Sequence, residues 1–215
     1  MKLYGVCLSP FVRKVAVVLN LKGIDCERED SFPHTLDRAI SPLGKVPALV
    51  DGELAIADSS VICEYLEERY PAVRTLPQST AERARSRWLE EYGDSKLGEL
   101  LSGGIFFERV VKKMIGGGES DEAMVQNTID KLLPPVLDYL ESQVPAEGFL
   151  FGAAPGIADI SVATHFINAG YAGYEADAAR WPRTAAFVGR VKAVPGVQKQ
   201  MAAEAAFMKA GAAGR

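Results

Sequence analysis

The sequence predicts an α/β domain followed by an all-α helical bundle domain, and its patterning supports that division in two ways. Residues 1–76 mix short strand-like runs with helical ones, whereas residues 82–210 have almost wholly helical patterns. The segment between them is polar and contains Pro77, which is typical of a linker. We therefore expect a first domain over residues 1–76, a linker over residues 77–81 and a helical domain over residues 82–215.

The first domain begins with a strand and a well-marked helix. Residues 2–7 are predicted as the strand. Ser9 and Pro10 then open the helix, because serine is a favoured N-cap residue and proline fits the first helical turn. A second strand over residues 26–30 and a short helical turn over residues 35–40 follow. This part of the chain has the predicted order βαβα.

A hairpin and a further helix complete the first domain. The Asp51-Gly52 pair predicts a tight turn between two strands, because these residues readily supply positive φ angles. The strands are residues 46–50 and 53–56. Asp58 then begins a helix with apolar residues at helical spacing. The predicted order of the whole domain is βαβαββα.

The second domain consists of predicted helices only. They cover residues 81–113, 122–143, 157–168, 182–193 and 197–210. Glycines at positions 116–118 separate the first two. A succession of helices without strand patterns is typical of a helical bundle.

Composition and charge argue against several classes of protein. With 48% hydrophobic and 24% charged residues, the chain resembles ordinary globular domains. Its net charge of −4 and its lack of a basic stripe argue against nucleic acid as a partner. The apolar run at residues 15–19 is too short to span a membrane. Cys7, Cys26 and Cys63 lack metal-ligand spacing, so we expect no metal, free thiols and a cytoplasmic location.

Pro47 lies inside an otherwise good strand, where it cannot donate to the ladder. It belongs to the motif GKVPAL at residues 44–49. The motif SPFVRKV precedes it at residues 9–15, and ADSSVICEYL follows it at residues 57–66. In this order and spacing, and followed by an all-helical half, the three motifs resemble the glutathione S-transferase family. The resemblance extends over essentially the whole chain.

That resemblance carries several implications for fold and activity. It implies that the first domain is thioredoxin-like, with a cis peptide bond before Pro47. It also implies conjugation of glutathione to a small hydrophobic electrophile, a detoxification role and a homodimer. One departure from the family pattern is Gly156, which stands where the family usually has Ser or Thr three residues before Asp159.

Ser9 is the candidate catalytic residue. Conjugation requires that the thiol pKa of glutathione, about 8.5, falls by about 2 units. A hydroxyl hydrogen bond and the positive end of a helix both stabilise a thiolate. Ser9 stands where the first helix begins and could supply both. Its position alone is equally that of an ordinary N-cap residue, and the family resemblance is what favours the catalytic role. The Ser-Pro-Phe start of this helix therefore indicates a serine-type member of the family.

The candidate glutathione-binding residues are Lys45, Val46, Pro47, Asp58 and Ser59. The helix start at Asp58 and Ser59 offers free N–H groups to the γ-glutamyl carboxylate, and the Asp58 carboxylate suits the γ-glutamyl ammonium group. The Val46 backbone would hold the cysteinyl backbone like an added strand. Lys45 would pair with the glycyl carboxylate. Asp58 and Ser59 could instead be ordinary helix caps.

Phe11, Phe106 and Arg109 are candidate walls of the electrophile pocket, although aromatic residues at helical spacing are more often core. Cys7 supports an alternative function, a glutathione-dependent thiol reductase that forms a mixed disulfide. It could equally be a small apolar side chain on a buried strand. Tyr4 is a third candidate for thiol activation. A non-enzymatic protein that binds glutathione or hydrophobic ligands is a further hypothesis.

Overall fold

The structure is a computed structural model that describes residues 1–213, and it divides into two compact units. The first unit joins Met1–Leu76 to the chain from Pro195 onwards, and the second unit is Pro77–Val194. The end of the predicted first domain coincides with Leu76. The terminal helix, however, groups with the α/β part of the chain and not with the helical part.

A four-stranded mixed sheet forms the centre of the first unit. Its strands are β1 (Lys2–Tyr4), β2 (Glu27–Glu29), β3 (Ala48–Asp51) and β4 (Leu54–Ala57). They lie in the order β2-β1-β3-β4. β1 is parallel to β2, whereas the β1–β3 and β3–β4 pairs are antiparallel. This arrangement confirms the predicted thioredoxin-like α/β class.

Helices α1 (Pro10–Leu21) and α2 (Ser59–Arg69) complete the part of the first unit that precedes Leu76. The β3–β4 hairpin forms where it was expected, but its turn lies one residue later than the sequence predicts. Asp51 pairs with Leu54, so Gly52, at φ 62°, is the first turn residue.

The helical turn predicted over residues 35–40 is not a helix. The Thr35 N–H donates to the Phe32 carbonyl at 3.1 Å, and the Thr35 hydroxyl donates to the same oxygen at 2.8 Å. The Ala39 N–H donates to the Asp37 carboxylate at 2.9 Å. Such local side-chain bonds compete with helical hydrogen bonding, and the segment forms separate turns. The observed order is therefore βαβββα.

The regular elements of the second unit are helices, which confirms the all-α class. One helical run extends from Thr80 to Met114 as α3 (Thr80–Tyr92), the π-helical segment Gly93–Val111, and α4 (Lys112–Met114). A second run comprises α5 (Glu122–Asn127), the π-helical segment Thr128–Leu132, and α6 (Leu133–Gln143). The remaining helices are α7 (Ile157–Tyr171) and α8 (Pro182–Lys192). Over residues 1–213, no helix combines the length and apolar character needed to cross a membrane.

The terminal helix α9 (Pro195–Ala213) is tied to α1 by a buried ion pair. Arg13 Nε and Nη2 donate to the two carboxylate oxygens of Glu204 at 2.7 and 2.8 Å. Both side chains are only 1% exposed. A bidentate pair fixes orientation as well as distance, so this contact helps to explain why α9 groups with the α/β unit.

Gly156 is the N-cap residue of helix α7, as predicted, and it supplies no side-chain hydrogen bond. The Asp159 side chain, in place of a cap side chain at Gly156, accepts hydrogen bonds from backbone N–H groups. Its carboxylate accepts the Gly156 N–H at 2.8 Å and the Leu150 N–H at 2.7 Å. Burial, which outweighs these hydrogen bonds, raises the pKa of Asp159 to about 6.

We expect the contribution of Asp159 to stability to fall as the pH rises. The unfolded chain releases this proton near pH 4, whereas the folded chain holds it up to about pH 6. The stabilisation is therefore complete below about pH 4 and declines by about 2–3 kcal/mol as the pH rises through 6. Urea unfolding of the wild type and Asp159→Asn at pH 4 and pH 7 measures this. A difference between the two proteins that does not change with pH would contradict it.

Candidate functional site

Ser9 caps the N-terminus of α1. Its backbone is extended, and its Oγ accepts the Val12 N–H at 3.4 Å, while Pro10 occupies the first turn. That bond is long for a hydrogen bond to a hydroxyl oxygen. Among the described residues, none accepts a hydrogen bond from the Ser9 hydroxyl group. The hydroxyl of this half-buried residue is therefore available as a donor.

The Val46–Pro47 peptide bond is cis, as the resemblance implied. Gly5 brings this bond close to the start of α1. A Cβ on Gly5 would lie 3.1 Å from the Val46 Cβ and would clash with the Val12 side chain. Only glycine permits this close approach, and its φ of 143° also disfavours other residues. Sequence reasoning missed Gly5, although a glycine directly after a strand is a recognisable signal.

Asp58 caps α2 in an unusual backbone conformation. Its φ of 92° is rare for a residue other than glycine. Its Oδ1 accepts the N–H groups of Ser60 and Val61 at 2.9 and 3.2 Å, and its own N–H donates to the Pro47 carbonyl at 3.4 Å. Strained residues of this kind often lie at functional sites. The structure thus connects the predicted residues Pro47 and Asp58 directly.

Two family models match most of the chain between them. The model described as "Glutathione S-transferase, N-terminal domain" matches residues 3–76, and the model described as "Glutathione S-transferase, C-terminal domain" matches residues 122–190. Glutathione S-transferase 3 of Zea mays is 32% identical over 169 residues, covering 74% of this chain and 73% of that protein. The chain belongs to the glutathione S-transferase family.

Further relatives agree with this glutathione S-transferase assignment. The maleylacetoacetate isomerase of Pseudomonas aeruginosa is 31% identical over 196 residues, covering 85% of this chain and 87% of that protein. The crystal structure of a glutathione S-transferase from Rhodospirillum rubrum F11 superposes with a TM-score of 0.83 at 30% identity, covering 93% of this chain and 90% of that one. Together the comparisons confirm the predicted assignment to the glutathione transferases.

Lys14 is a second residue that sequence reasoning missed as part of this site. Its side chain is 0% exposed, and its Nζ donates to the Ser60 Oγ at 3.0 Å. Lys14 belongs to α1, which Ser9 caps, and Ser60 belongs to α2, which Asp58 caps. This bond therefore links the second turn of α1 to the first turn of α2. The only feature of the sequence that could have indicated this buried contact is the presence of a lysine among the apolar residues of α1.

The other predicted glutathione ligands differ in exposure. Ser59 is the first residue of α2 and is only 4% exposed. Lys45 is exposed, and its carbonyl accepts the Ser41 hydroxyl at 2.8 Å. Val46 is half-buried and lies two residues before the start of β3. The roles of Ser59, Lys45 and Val46 as glutathione ligands therefore remain predictions.

The predicted electrophile-pocket residues lie in different units. Phe11 is half-buried on α1, and Phe106 is only 4% exposed in the helical unit. The Arg109 guanidinium donates to the Glu122 carboxylate at 2.9 Å and to the Ala172 carbonyl at 3.0 Å. Arg109 thus has a structural role, and its bond holds the pKa of Glu122 below its usual range. The pocket assignment remains a prediction.

Cys7 is poorly suited to the reductase alternative. Burial, aided by the carboxylates of Asp30 and Glu204, raises the pKa of its thiol to about 11. The thiolate is the nucleophile in disulfide chemistry. At neutral pH only about one Cys7 side chain in ten thousand would carry that charge.

Proposed function

We propose that the protein is a serine-type glutathione transferase that conjugates glutathione to hydrophobic electrophiles. The observation that supports this most strongly is the Ser9 hydroxyl at the N-terminus of α1, with an unused donor. Gly5 holds this helix start close to Val46 beside the cis-proline bond. The hydroxyl is thus available to a thiol peptide that pairs with the Val46 backbone.

Glutathione would be held at three points. The Val46 N–H and C=O pair with its cysteinyl backbone as an added strand would, beside Pro47. The N–H groups at the start of α2, including that of Ser59, hold the γ-glutamyl carboxylate, while the exposed side of the Asp58 carboxylate holds the ammonium group. Lys45 pairs with the glycyl carboxylate. These contacts place the thiol near the start of α1.

The proposed chemistry is activation of the glutathione thiol. Ser9 donates its hydroxyl hydrogen to the sulfur, which stabilises the thiolate by about 1.5–3 kcal/mol. The N-terminus of α1 adds about 0.3–1 kcal/mol. Lowering the pKa by about 2 units requires about 2.7 kcal/mol, which lies within the combined range of the two contributions, about 1.8–4 kcal/mol. The thiol proton passes to solvent water. The thiolate then attacks the electrophilic carbon, and the sulfur–carbon bond forms as the leaving group departs as an anion, or as the ring or double bond opens and its oxygen or carbon takes up a proton from water.

The remaining predictions concern the electrophilic substrate, the oligomeric state, the cellular location and the biological role. We propose that Phe11, Phe106 and Arg109 contribute to the pocket for the electrophile. The family relationship supports a homodimer, a cytoplasmic location and a role in detoxification.

A substrate panel tests the proposed function. It contains an aryl halide, an epoxide, a peroxide and a mixed disulfide, each with glutathione. We expect turnover of the aryl halide or the epoxide. Turnover of the disulfide alone would contradict the proposal and favour the reductase.

A second candidate function is glutathione-dependent isomerisation. The 31% identity to a maleylacetoacetate isomerase over 85% of the chain favours it. A thiolate that adds reversibly to a cis double bond allows rotation about that bond, so the Ser9 arrangement serves this reaction equally. Adding maleylacetoacetate to the panel distinguishes the two: isomerisation regenerates glutathione, whereas conjugation consumes it.

Asp58→Ala is expected to weaken glutathione binding by about 1.5–3 kcal/mol, the value for a hydrogen bond to a charged group. Isothermal titration calorimetry at neutral pH measures the change. Asp58→Asn is the matched control for the cap, because its amide oxygen can still accept the Ser60 and Val61 N–H groups. We expect Asp58→Asn to keep the thermal stability of the wild type yet bind glutathione as weakly as Asp58→Ala. Wild-type affinity in Asp58→Asn would restrict Asp58 to capping.

A further inference from the structure

A hydroxyl, an imidazole and a carboxylate lie together inside the helical unit. His165 of α7 is 0% exposed, and its Nδ1 lies 2.9 Å from the Ser102 Oγ. On the other side of the ring, its Nε2 lies 3.9 Å from the Asp94 Oδ1. These three residues are separate from those proposed to hold glutathione or the electrophile, so they form a second cluster of reactive side chains.

The backbone holds the imidazole between the other two side chains. Asp94, Gly98 and Ser102 follow one another at four-residue spacing in the π-helical segment, so they lie near the same face. This face meets α7 closely, because a Cβ on Gly98 would lie only 3.1 Å from the His165 Cε1. The lack of a side chain at Gly98 thus lets the ring lie between Asp94 and Ser102.

Asp94 selects the form of the imidazole that can accept a proton. Its carboxylate accepts the Ser161 hydroxyl at 2.6 Å, which holds the carboxylate beside the ring. A carboxylate near Nε2 favours the neutral tautomer that carries its hydrogen on Nε2, and Nδ1 of His165 is then an acceptor. The Ser102 hydroxyl consequently donates to Nδ1. A hydroxyl bonded to an imidazole that a carboxylate orients is an activated nucleophile.

The surroundings of Ser102 limit which compounds can react with it. Ser102 is only half-buried, and the next residue, Gly103, is exposed and has no side chain to block the approach. The N–H groups of both residues serve the hydrogen bonds of the π-helical segment, so they are not offered to the oxyanion of a tetrahedral intermediate. The site therefore suits an acyl donor whose leaving group is already stable, such as an aryl ester.

We infer that Ser102 accepts an acyl group from activated esters, with His165 as its general base and Asp94 as the positioning residue. The Ser102 Oγ attacks the carbonyl carbon while its proton passes to the His165 Nδ1. The bond between that carbon and the aryl oxygen then breaks, and the aryl oxygen departs with the proton that His165 returns. The products are an acyl ester of Ser102 and a phenol. Glutathione takes no part.

Treatment of the wild-type protein with p-nitrophenyl acetate in the absence of glutathione tests this inference. We expect a rapid first phase that releases about one equivalent of p-nitrophenol per chain, and tandem mass spectrometry should place the acetyl group on Ser102. Acetylation of lysine or cysteine side chains without acetylation of Ser102 would overturn the inference, as would the absence of any acetylation. Because glutathione is left out, either result leaves the proposed function untouched.

Variants test the role of each side chain. Ser102→Ala should lose the rapid phase, with release at least about a hundredfold slower. Ser95→Ala is the matched control, because Ser95 is an exposed serine of the same π-helical segment whose hydroxyl donates to the Glu91 carbonyl. Asp94→Asn can still accept the Ser161 hydroxyl but lacks the charge that orients the imidazole, so we expect about tenfold slower acetylation. A rapid phase that persists in Ser102→Ala, or is as fast in Asp94→Asn as in the wild type, would overturn the inference.

Discussion

Ser9→Ala is expected to lower the rate of glutathione conjugation ten- to a hundredfold. The substitution removes the hydrogen bond to the thiolate, about 1.5–3 kcal/mol, and each 1.36 kcal/mol changes a rate tenfold. The N-terminus of α1 remains, so residual activity persists. With glutathione saturating, the pH–rate profile of kcat/KM for the electrophile should shift to higher pH, because the bound thiol then ionises less readily.

Two further variants make the Ser9 result interpretable. Ser9→Thr retains a hydroxyl at the cap position and should retain most of the activity. Cys7→Ser should change the conjugation rate little, because burial already holds the Cys7 thiol in its protonated form. Thiol–disulfide exchange is assayed in parallel. If Cys7→Ser abolishes activity while Ser9→Ala leaves the pH–rate profile unchanged, the reductase function replaces the transferase.

Glu204→Gln is expected to reduce the free energy of unfolding by about 3–5 kcal/mol. The amide has nearly the same volume as the carboxylate, so packing is preserved. The Arg13 charge, however, is left buried without its compensating carboxylate, and both side chains are 1% exposed. Denaturant unfolding followed by circular dichroism measures the loss.

The double variant Arg13→Met/Glu204→Leu is the informative companion. Removing both charges should recover most of the lost stability, because buried ion pairs are often replaceable by apolar residues of similar volume. Lys2→Met is the control for an exposed pair, since Lys2 contacts Glu27 and Glu29 at the surface; we expect no measurable change. Wild-type stability in Glu204→Gln would contradict the structural role of this pair.

Local signals in the sequence predicted much of the α/β unit. Ser9 and Pro10 marked the start of α1 because an N-cap and a first-turn proline act within a few residues. The cis bond at Pro47 came from the family resemblance, and the local residues alone would not have indicated it. The prediction of a helical turn over residues 35–40 was wrong because polar side chains in this segment form hydrogen bonds with the nearby backbone, and these compete with helical hydrogen bonds.

Long-range contacts could not be read from the sequence. Arg13 and Glu204 are 191 positions apart, and nothing local to either residue indicates its partner. Lys14 is similar, because a lysine in an apolar helix is expected at the surface, whereas here it is buried against Ser60. The grouping of α9 with the α/β unit depends on such contacts. The helical pattern of residues 197–210 therefore predicts the helix but not the unit to which it belongs.

The pKa of the thiol in bound glutathione is the most direct test of the proposed function. The thiolate absorbs in the ultraviolet, so difference spectra of the complex across pH give this pKa for the wild type and Ser9→Ala. We predict a wild-type pKa about 2 units below the ordinary value of about 8.5, and a value at least 1 unit higher in Ser9→Ala. Bound glutathione that titrates like the free thiol in the wild type, or identically in both proteins, would contradict thiol activation by Ser9.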